Sequence, residues 1–150
     1  MTEAINRSQL LRGNLRGERR PIRPPWSIPE RDFTELCTRC DDCIAVCPQR
    51  IIQRGMGGFP QLDFSLGHCT FCGDCAKACK QDLFSLNQDP RLPPWQLQVE
   101  FKQDCLSING VVCRSCGERC AESAIHFHLR TGGRAEPMLD ADSCNGCGEC

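Results

Sequence analysis

The spacing of the cysteines constrains this chain more than any other feature: Cys37, Cys40, Cys43 and Cys47, followed by Pro48, read C-x2-C-x2-C-x3-C-P. A second set, Cys69, Cys72, Cys75 and Cys79, repeats the spacing, and a third, Cys105, Cys113, Cys116 and Cys120, stretches its first interval. A fourth opens with Cys144, Cys147 and Cys150, where the sequence ends. All fifteen cysteines fall into these sets, and fifteen reads as sixteen less one, so the C-terminus is expected to be cut short. Such spacing is how bacterial chains cage a [4Fe–4S] cluster in thiolates.

The composition needs such a cage. Leu, Ile, Val and Phe make up 32 of 150 residues, about 21%, with a net charge of −1. A core so poor in aliphatics calls for staples, either disulfides or metals. No run of about eighteen apolar residues and no apolar h-region behind the basic N-terminus is present, so neither a membrane span nor a cleaved secretory signal is read. The expected compartment is therefore the cytoplasm, where cysteine at a tenth of the residues argues for metal ligation over disulfides. Zinc is the rival metal, but a zinc ribbon uses two well-separated C-x2-C knuckles, not cysteine triplets with a fourth at plus four.

Residues 1–25 form a basic arm, with Arg7, Arg12, Arg16, Arg19, Arg20 and Arg23 set against Glu3 and Glu18. A mobile solvated arm and a partner-binding arm both remain open. Beyond it the chain duplicates. Arg23-Pro24-Pro25-Trp26 returns as Leu92-Pro93-Pro94-Trp95, an offset of 69, while Cys37 to Cys105, Cys47 to Cys120 and Cys69 to Cys144 are offset by 68, 73 and 75. Two modules are expected, 26–89 and 90–150, joined through the proline-rich stretch from Asn87 to Pro94. Each should carry a hairpin, one around Gly55-Met56-Gly57-Gly58 and one around Thr131-Gly132-Gly133. Short helices should begin inside the cysteine sets, because the third and fourth cysteines stand one helical turn apart. Ala45, Val46, Ala76 and Ala78 would line their inner wall. The fold class is thus a loop-rich α+β tandem of two bacterial 2[4Fe–4S] ferredoxin-like modules.

In this spacing the first three cysteines hold one cluster and the fourth reaches the other. The first cluster would take Cys37, Cys40, Cys43 and Cys79, and the second Cys69, Cys72, Cys75 and Cys47. In the second module Cys144, Cys147, Cys150 and Cys120 would hold one cluster. Cys105, Cys113 and Cys116 would hold the other, with a fourth ligand expected near position 154; without it a three-iron cluster or an exchangeable iron is expected. Up to four [4Fe–4S] clusters follow. His68, His126 and His128 read as surface or packing residues, and Trp26 and Trp95 as caps on each module's core, or as docking elements. No phosphate-cradling loop, no nucleophile with its base and no paired carboxylates are present, so the chain does not read as an enzyme.

The first two cysteine sets look like those of any two-cluster bacterial ferredoxin. The Arg-Pro-Pro-Trp at 23–26, Cys-Thr-Arg-Cys-Asp at 37–41, Gln-Arg-Gly-Met-Gly-Gly-Phe-Pro at 53–60, the stretched third set and Cys-Asn-Gly-Cys-Gly at 144–148 narrow the likeness. Over nearly the whole chain they resemble the NapF family, ferredoxin-type accessory proteins of periplasmic nitrate reductase systems. Lys80, where the motif has proline, and the absent final cysteine depart from the pattern. The resemblance implies four [4Fe–4S] clusters, a cytoplasmic location and the nitrate reductase catalytic subunit as partner. It implies a role in maturing that subunit before export, by loading its [4Fe–4S] cluster or supplying electrons. The alternative is a ferredoxin subunit relaying electrons to an oxidoreductase partner. No nucleic-acid partner is expected.

Overall fold

The structure, a computed structural model, describes residues 21–85, 89, 91–132 and 134–150. Residues 1–20 of the basic arm, and Asn87 and Pro90 of the expected linker, lie outside the described residues. The architecture is a small mixture of short helices and two hairpins connected by long loops.

Helix α1 (Glu30–Leu36) begins after Pro29, and Glu30 and Asp32 set negative charge in its first turn, where the helix dipole favours it. It is too short to show apolar periodicity, and its sequence gave no signal. It buries one side chain, Phe33, edge-on to Phe84 with ring centroids 6.5 Å apart. Helices α2 (Asp42–Ala45), α3 (Asp74–Ala78) and α4 (Ser115–Arg119) each start inside a cysteine set. The expected inner wall needs correction, because Ala45 and Val46 face solvent while Ile44 packs against the core. On α3, Ala76 is fully buried and Ala78 half-buried.

Strands β1 (Ile52–Arg54) and β2 (Pro60–Leu62) pair antiparallel around a tight turn at Met56–Gly58, with Ile52 opposite Leu62 and Arg54 opposite Pro60. Pro60 opens its strand, where a missing N–H is tolerated. Strands β3 (Ile125–Arg130) and β4 (Arg134–Leu139) form the second hairpin, Ile125 opposite Leu139 and Leu129 opposite Ala135. The inward face fades along β3: Ile125 is buried, Phe127 half-buried and Leu129 76% exposed.

The hydrophobic core gathers Phe33, Ile51, Ile52, Leu62, Leu83 and Phe84 with Cys75 and Ala76. The segment leading into α1 threads through it. Leu62 donates its N–H to the Ile22 carbonyl (2.7 Å), Ile28 to Leu83 (3.0 Å) and Ser85 to Trp26 (2.8 Å). Pro24 is fully buried, and the Arg23 guanidinium pairs with Glu30, bonds the Pro60 carbonyl at 2.7 Å and lies 5.1 Å from the Phe33 ring centroid. One cation thus ties the entering segment, α1 and β2 together.

The tryptophans are not simple caps on separate cores. Trp26 is buried, but its indole N–H donates to the Leu92 carbonyl and its backbone N–H to Pro94, both in the second copy of the Pro-Pro-Trp repeat. Trp95 packs against the first core, edge-on to Phe71 at 5.5 Å and Phe64 at 6.0 Å, and donates its indole N–H to Asn145. Both rings sit where the two copies meet.

Candidate metal centre

Three of the four cysteine loops follow one backbone path. At the second and fourth positions after the leading cysteine the chain turns left-handed: Arg39 (φ 58) and Asp41 (φ 65), Phe71 (φ 54) and Gly73 (φ 76), Gly146 (φ 74) and Gly148 (φ 82). A left-handed L-residue costs roughly 1–2 kcal/mol, so Arg39, Asp41 and Phe71 mark strain that the surrounding structure holds in place. Glycine at the fourth position in two of the loops is the sequence trace of this path.

The path wraps a cavity in each of the first two loops. One cavity, about 540 Å³ to its open mouth, is lined by Cys37, Cys40, Cys43 and Cys79, over an apolar floor of Phe33, Leu83 and Phe84. The other, about 360 Å³, is lined by Cys47, Cys69, Cys72 and Cys75, with Ile51, Ile52, Leu62 and Phe71. The helices make this exchange. Helix α2 starts in the first loop and Cys47 follows its end, at the second cavity; α3 starts in the second loop and Cys79 caps it, at the first cavity. α2 packs on both α3 and β1.

Burial and crowding favour the protonated form of Cys43, Cys69 and Cys75. Burial pushes Cys43 up to about 11, with Cys37, Cys79 and Cys40 adding to it. Burial likewise lifts Cys69 to about 11, although the Phe71 N–H, 3.4 Å from its sulfur, opposes the rise. Cys75, the buried cysteine, reaches about 12 through burial and then Cys69 and Cys72. Thiolates this crowded need a cationic group among them, and soft sulfur donors suit iron–sulfur clusters. Among the described residues no three His, Cys, Asp or Glu side chains converge on a point for a single ion. A cuboidal cluster makes a different demand, one thiolate for each of four irons, and four cysteines around an apolar-floored cavity fit it.

The third set departs from this path, whereas the fourth keeps it. Burial raises Cys116, and Cys105 and Cys113 lie near enough to add to the rise. Arg114, directly after Cys113, has φ −133 instead of the left-handed turn. The extra residues between Cys105 and Cys113 fold into a turn of their own: Val111 donates to the Leu106 carbonyl at 3.0 Å, and the Asn109 amide to Gln103 and Cys105. Cys120 caps α4 and its sulfur accepts the Ala124 N–H at 3.3 Å. It is tied to the fourth loop through Asp140, which donates to the Ala124 carbonyl and accepts from Cys144. Burial raises Cys150, and Cys147, Cys116 and Cys144 lie near enough to add to the rise. His68 stands 3.8 Å from Glu149, and His126 and His128 lie exposed on one face of β3.

The charged residues at the centre stood out in the sequence only through the family resemblance, Arg39 and Asp41 within it and Lys80 as a departure from it. Arg39, Asp41 and Lys80 rim the first cavity, Asp41 pairing with Arg54 and Lys80 with Asp42. One Asp41 carboxylate oxygen is buried without a hydrogen-bond partner.

Paired cysteine loops joined by short helices and hairpins define a ferredoxin-type [4Fe–4S] protein, and the 4Fe-4S dicluster domain family matches residues 36–83. The chain is 45% identical over 129 residues to the ferredoxin-type protein NapF of Haemophilus influenzae, covering 86% of this chain and 72% of that protein. Against NapF of Escherichia coli strain K12 it is 42% identical over 146 residues, 97% of this chain and 87% of that protein. The ferredoxin-type protein NapG of the same strain is 31% identical over 151 residues, 86% of this chain and 64% of that protein. The chain therefore belongs to the NapF family of ferredoxin-type proteins. No solved structure matches it.

Proposed function

We propose that this chain holds up to four [4Fe–4S] clusters in two tandem ferredoxin-like modules, 26–89 and 90–150, and serves the catalytic subunit of a periplasmic nitrate reductase. In this reading it works in the cytoplasm before that subunit is exported, loading or redox-activating the subunit's own [4Fe–4S] cluster, and is not itself an enzyme. Cys37, Cys40, Cys43 and Cys79 would hold one cluster and Cys69, Cys72, Cys75 and Cys47 the second. Cys144, Cys147, Cys150 and Cys120 would hold another, and Cys105, Cys113 and Cys116 the last. The observation that supports this most is the pair of cavities, each walled by three cysteines of one set and the fourth of the other, in a member of the NapF family. Among the described residues no helix is long and apolar enough to cross a membrane.

Bound clusters supply one-electron chemistry and exchangeable iron and sulfide. The chain's residues hold them, and backbone N–H groups aimed at sulfur, such as Phe71 to Cys69, tune their potentials. The stretched third loop, with Val112 90% exposed, is the place where a client could reach a cage. To test this, the chain is loaded anaerobically with labelled iron and mixed with cluster-free catalytic subunit. Label moving into the subunit together with its activation is the expected result. Retention of all label, with fast electron delivery to a loaded subunit, would favour the second reading, an electron-relaying ferredoxin. The close approach of the second and fourth loops favours that alternative.

A further inference from the structure

Cys69 donates its backbone N–H to the carbonyl of Cys147 at 2.8 Å. Cys69 lines the second cavity and Cys147 is the middle cysteine of the fourth loop, so the two halves of the chain touch through their cysteine loops. The surroundings are shaped for this contact. Trp95 wedges beside it against Phe71 and Phe64, and its indole N–H fixes the Asn145 carbonyl at 3.0 Å. A Cβ on Gly146 would lie 2.5 Å from the Trp95 indole nitrogen and 2.8 Å from the Leu97 carbonyl oxygen. A Cβ on Gly148 would lie 2.2 Å from the Phe64 ring. Both glycines are left-handed, so here they serve the loop's path and its close approach at once.

On the four-cluster reading above, we propose that the cages form one linear relay in the order first, second, fourth, third, with the Cys69–Cys147 contact as the junction between halves. The other two junctions lie within the halves. Helix α2 packs on α3 between the first and second cavities, with Cys47 of the first set lining the second cavity and Cys79 of the second set lining the first. The fourth loop is joined to the end of the third set: Cys144 donates its N–H to the Asp140 carbonyl and Asp140 to Ala124, whose own N–H reaches the Cys120 sulfur at 3.3 Å, while the Asn145 amide donates to Glu122 at 2.9 Å. With clusters held by the cysteines of each cage, a single electron supplied by a one-electron donor at the first cage would pass to the second and, across the Cys69–Cys147 contact, to the fourth, with no bond broken and no proton moved. The stretched third loop is then one end of the relay and the first cage the other. This places the exposed third loop where an electron, or an iron, leaves the chain.

The test reads magnetic coupling in the protein alone, with dithionite as the one-electron donor. The double variant Cys79→Ser/Cys105→Ser keeps the second and fourth cages, and Cys75→Ser/Cys147→Ser keeps the first and third; iron analysis should find about eight irons per chain in the former and about seven or eight in the latter, whose third cage has three cysteines. Electron paramagnetic resonance of the reduced chains should show a spin-coupled, split spectrum for the first pair and simple uncoupled lines for the second. Added to the Cys79→Ser/Cys105→Ser chain, in which only the second and fourth cages are loaded, Trp95→Leu and Gly148→Ala should each remove the coupling. Gly132→Ala should leave it unchanged, being equally left-handed (φ 87) with no atom within 4 Å of its Cβ. Coupling in the first-and-third pair, or coupling that survives Trp95→Leu and Gly148→Ala, would overturn the order. A chain that loads too little iron would overturn the four-cluster reading instead. Failure of label transfer to the client would leave both of these intact.

Discussion

The two halves carry matching cysteine sets but unequal cores. The first half buries Phe33, Ile51, Ile52, Leu62, Leu83 and Phe84 in one cluster. The second buries Ala124, Ile125, Pro137 and Ser107, whose hydroxyl donates to the Ala135 carbonyl, and leaves Leu106, Val111, Val112, Leu129 and Met138 exposed. The second half thus carries the thiol sets with much less apolar packing around them. A half with so little buried surface must draw its stability from bound metal and from docking on its neighbour through Trp95.

Removing the clusters is the largest perturbation of that contrast. Binding free energy is folding free energy in small metallodomains, so a chelator should leave the chain largely unfolded. The halves should part in order: as iron is withdrawn, amides of β3 and β4 should lose hydrogen-exchange protection before those of β1 and β2. Simultaneous loss would mean that the first core adds nothing the cages do not. Next in size is the loss of one cage. Cys47→Ser should cost the cluster of the Cys69, Cys72 and Cys75 loop and spare that of Cys37, Cys40 and Cys43, whereas Cys79→Ser should do the reverse. Iron counts and cluster spectra of the two variants would expose a wrong assignment if each emptied its own loop instead.

Core substitutions come third and compare the halves directly. Phe33→Ala deletes a fully buried ring and its edge-on contact with Phe84, a change worth roughly 3–5 kcal/mol. Ile125→Val in the second half should cost about 0.5–1.5 kcal/mol. Denaturant midpoints of the loaded variants decide the matter, and a cost for Phe33→Ala no larger than for Ile125→Val would mean that the cages carry the first half too.

Much of this was legible because cysteine spacing is a local code. Triplet spacing and the four-residue gap placed α2, α3 and α4, and glycine clusters between apolar runs placed both hairpins. What stayed hidden was non-local. Helix α1 is seven residues with one buried side chain, below the length at which periodicity shows. Arg23 looked like one more charge of a basic arm, and its burial against Phe33 and Glu30 depends on chain segments far away in sequence. The Pro-Pro-Trp repeat was visible, but not that each indole bonds a carbonyl on the second half's segments, Leu92 and Asn145. Ala45 and Val46 misled because a helix of four residues has too few positions to define an inner face.

Loading itself should depend on pH. An unfolded, metal-free chain has thiols near the ordinary value of 9.0, and burial on folding lifts Cys43 and Cys69 to about 11 and Cys75 to about 12, so at neutral pH these thiols are protonated before loading in either state. Iron binds the thiolates, so each thiol must give up its proton on loading, and raising the pH from about 7 to about 9 favours that release. The initial rate at which the visible cluster absorbance grows should therefore climb over this window. A rate that is flat or falls would show that the thiols are already ionised before iron arrives.

The smallest effect is the most pointed check on the open second half. Leu129 is 76% exposed on β3, opposite Ala135, at the end of the hairpin away from buried Ile125. Threonine there gives up little apolar burial and brings the β-branched shape that strands favour, so Leu129→Thr should change stability by no more than about 0.5 kcal/mol. If the loaded protein instead loses more than about 1 kcal/mol, something must cover the hairpin tip in solution, since surface substitutions away from contacts stay small. The contrast between a packed first half and an open second half would then narrow from the side of the second. The same measurement on Phe33→Ala would say whether it had also narrowed from the side of the first.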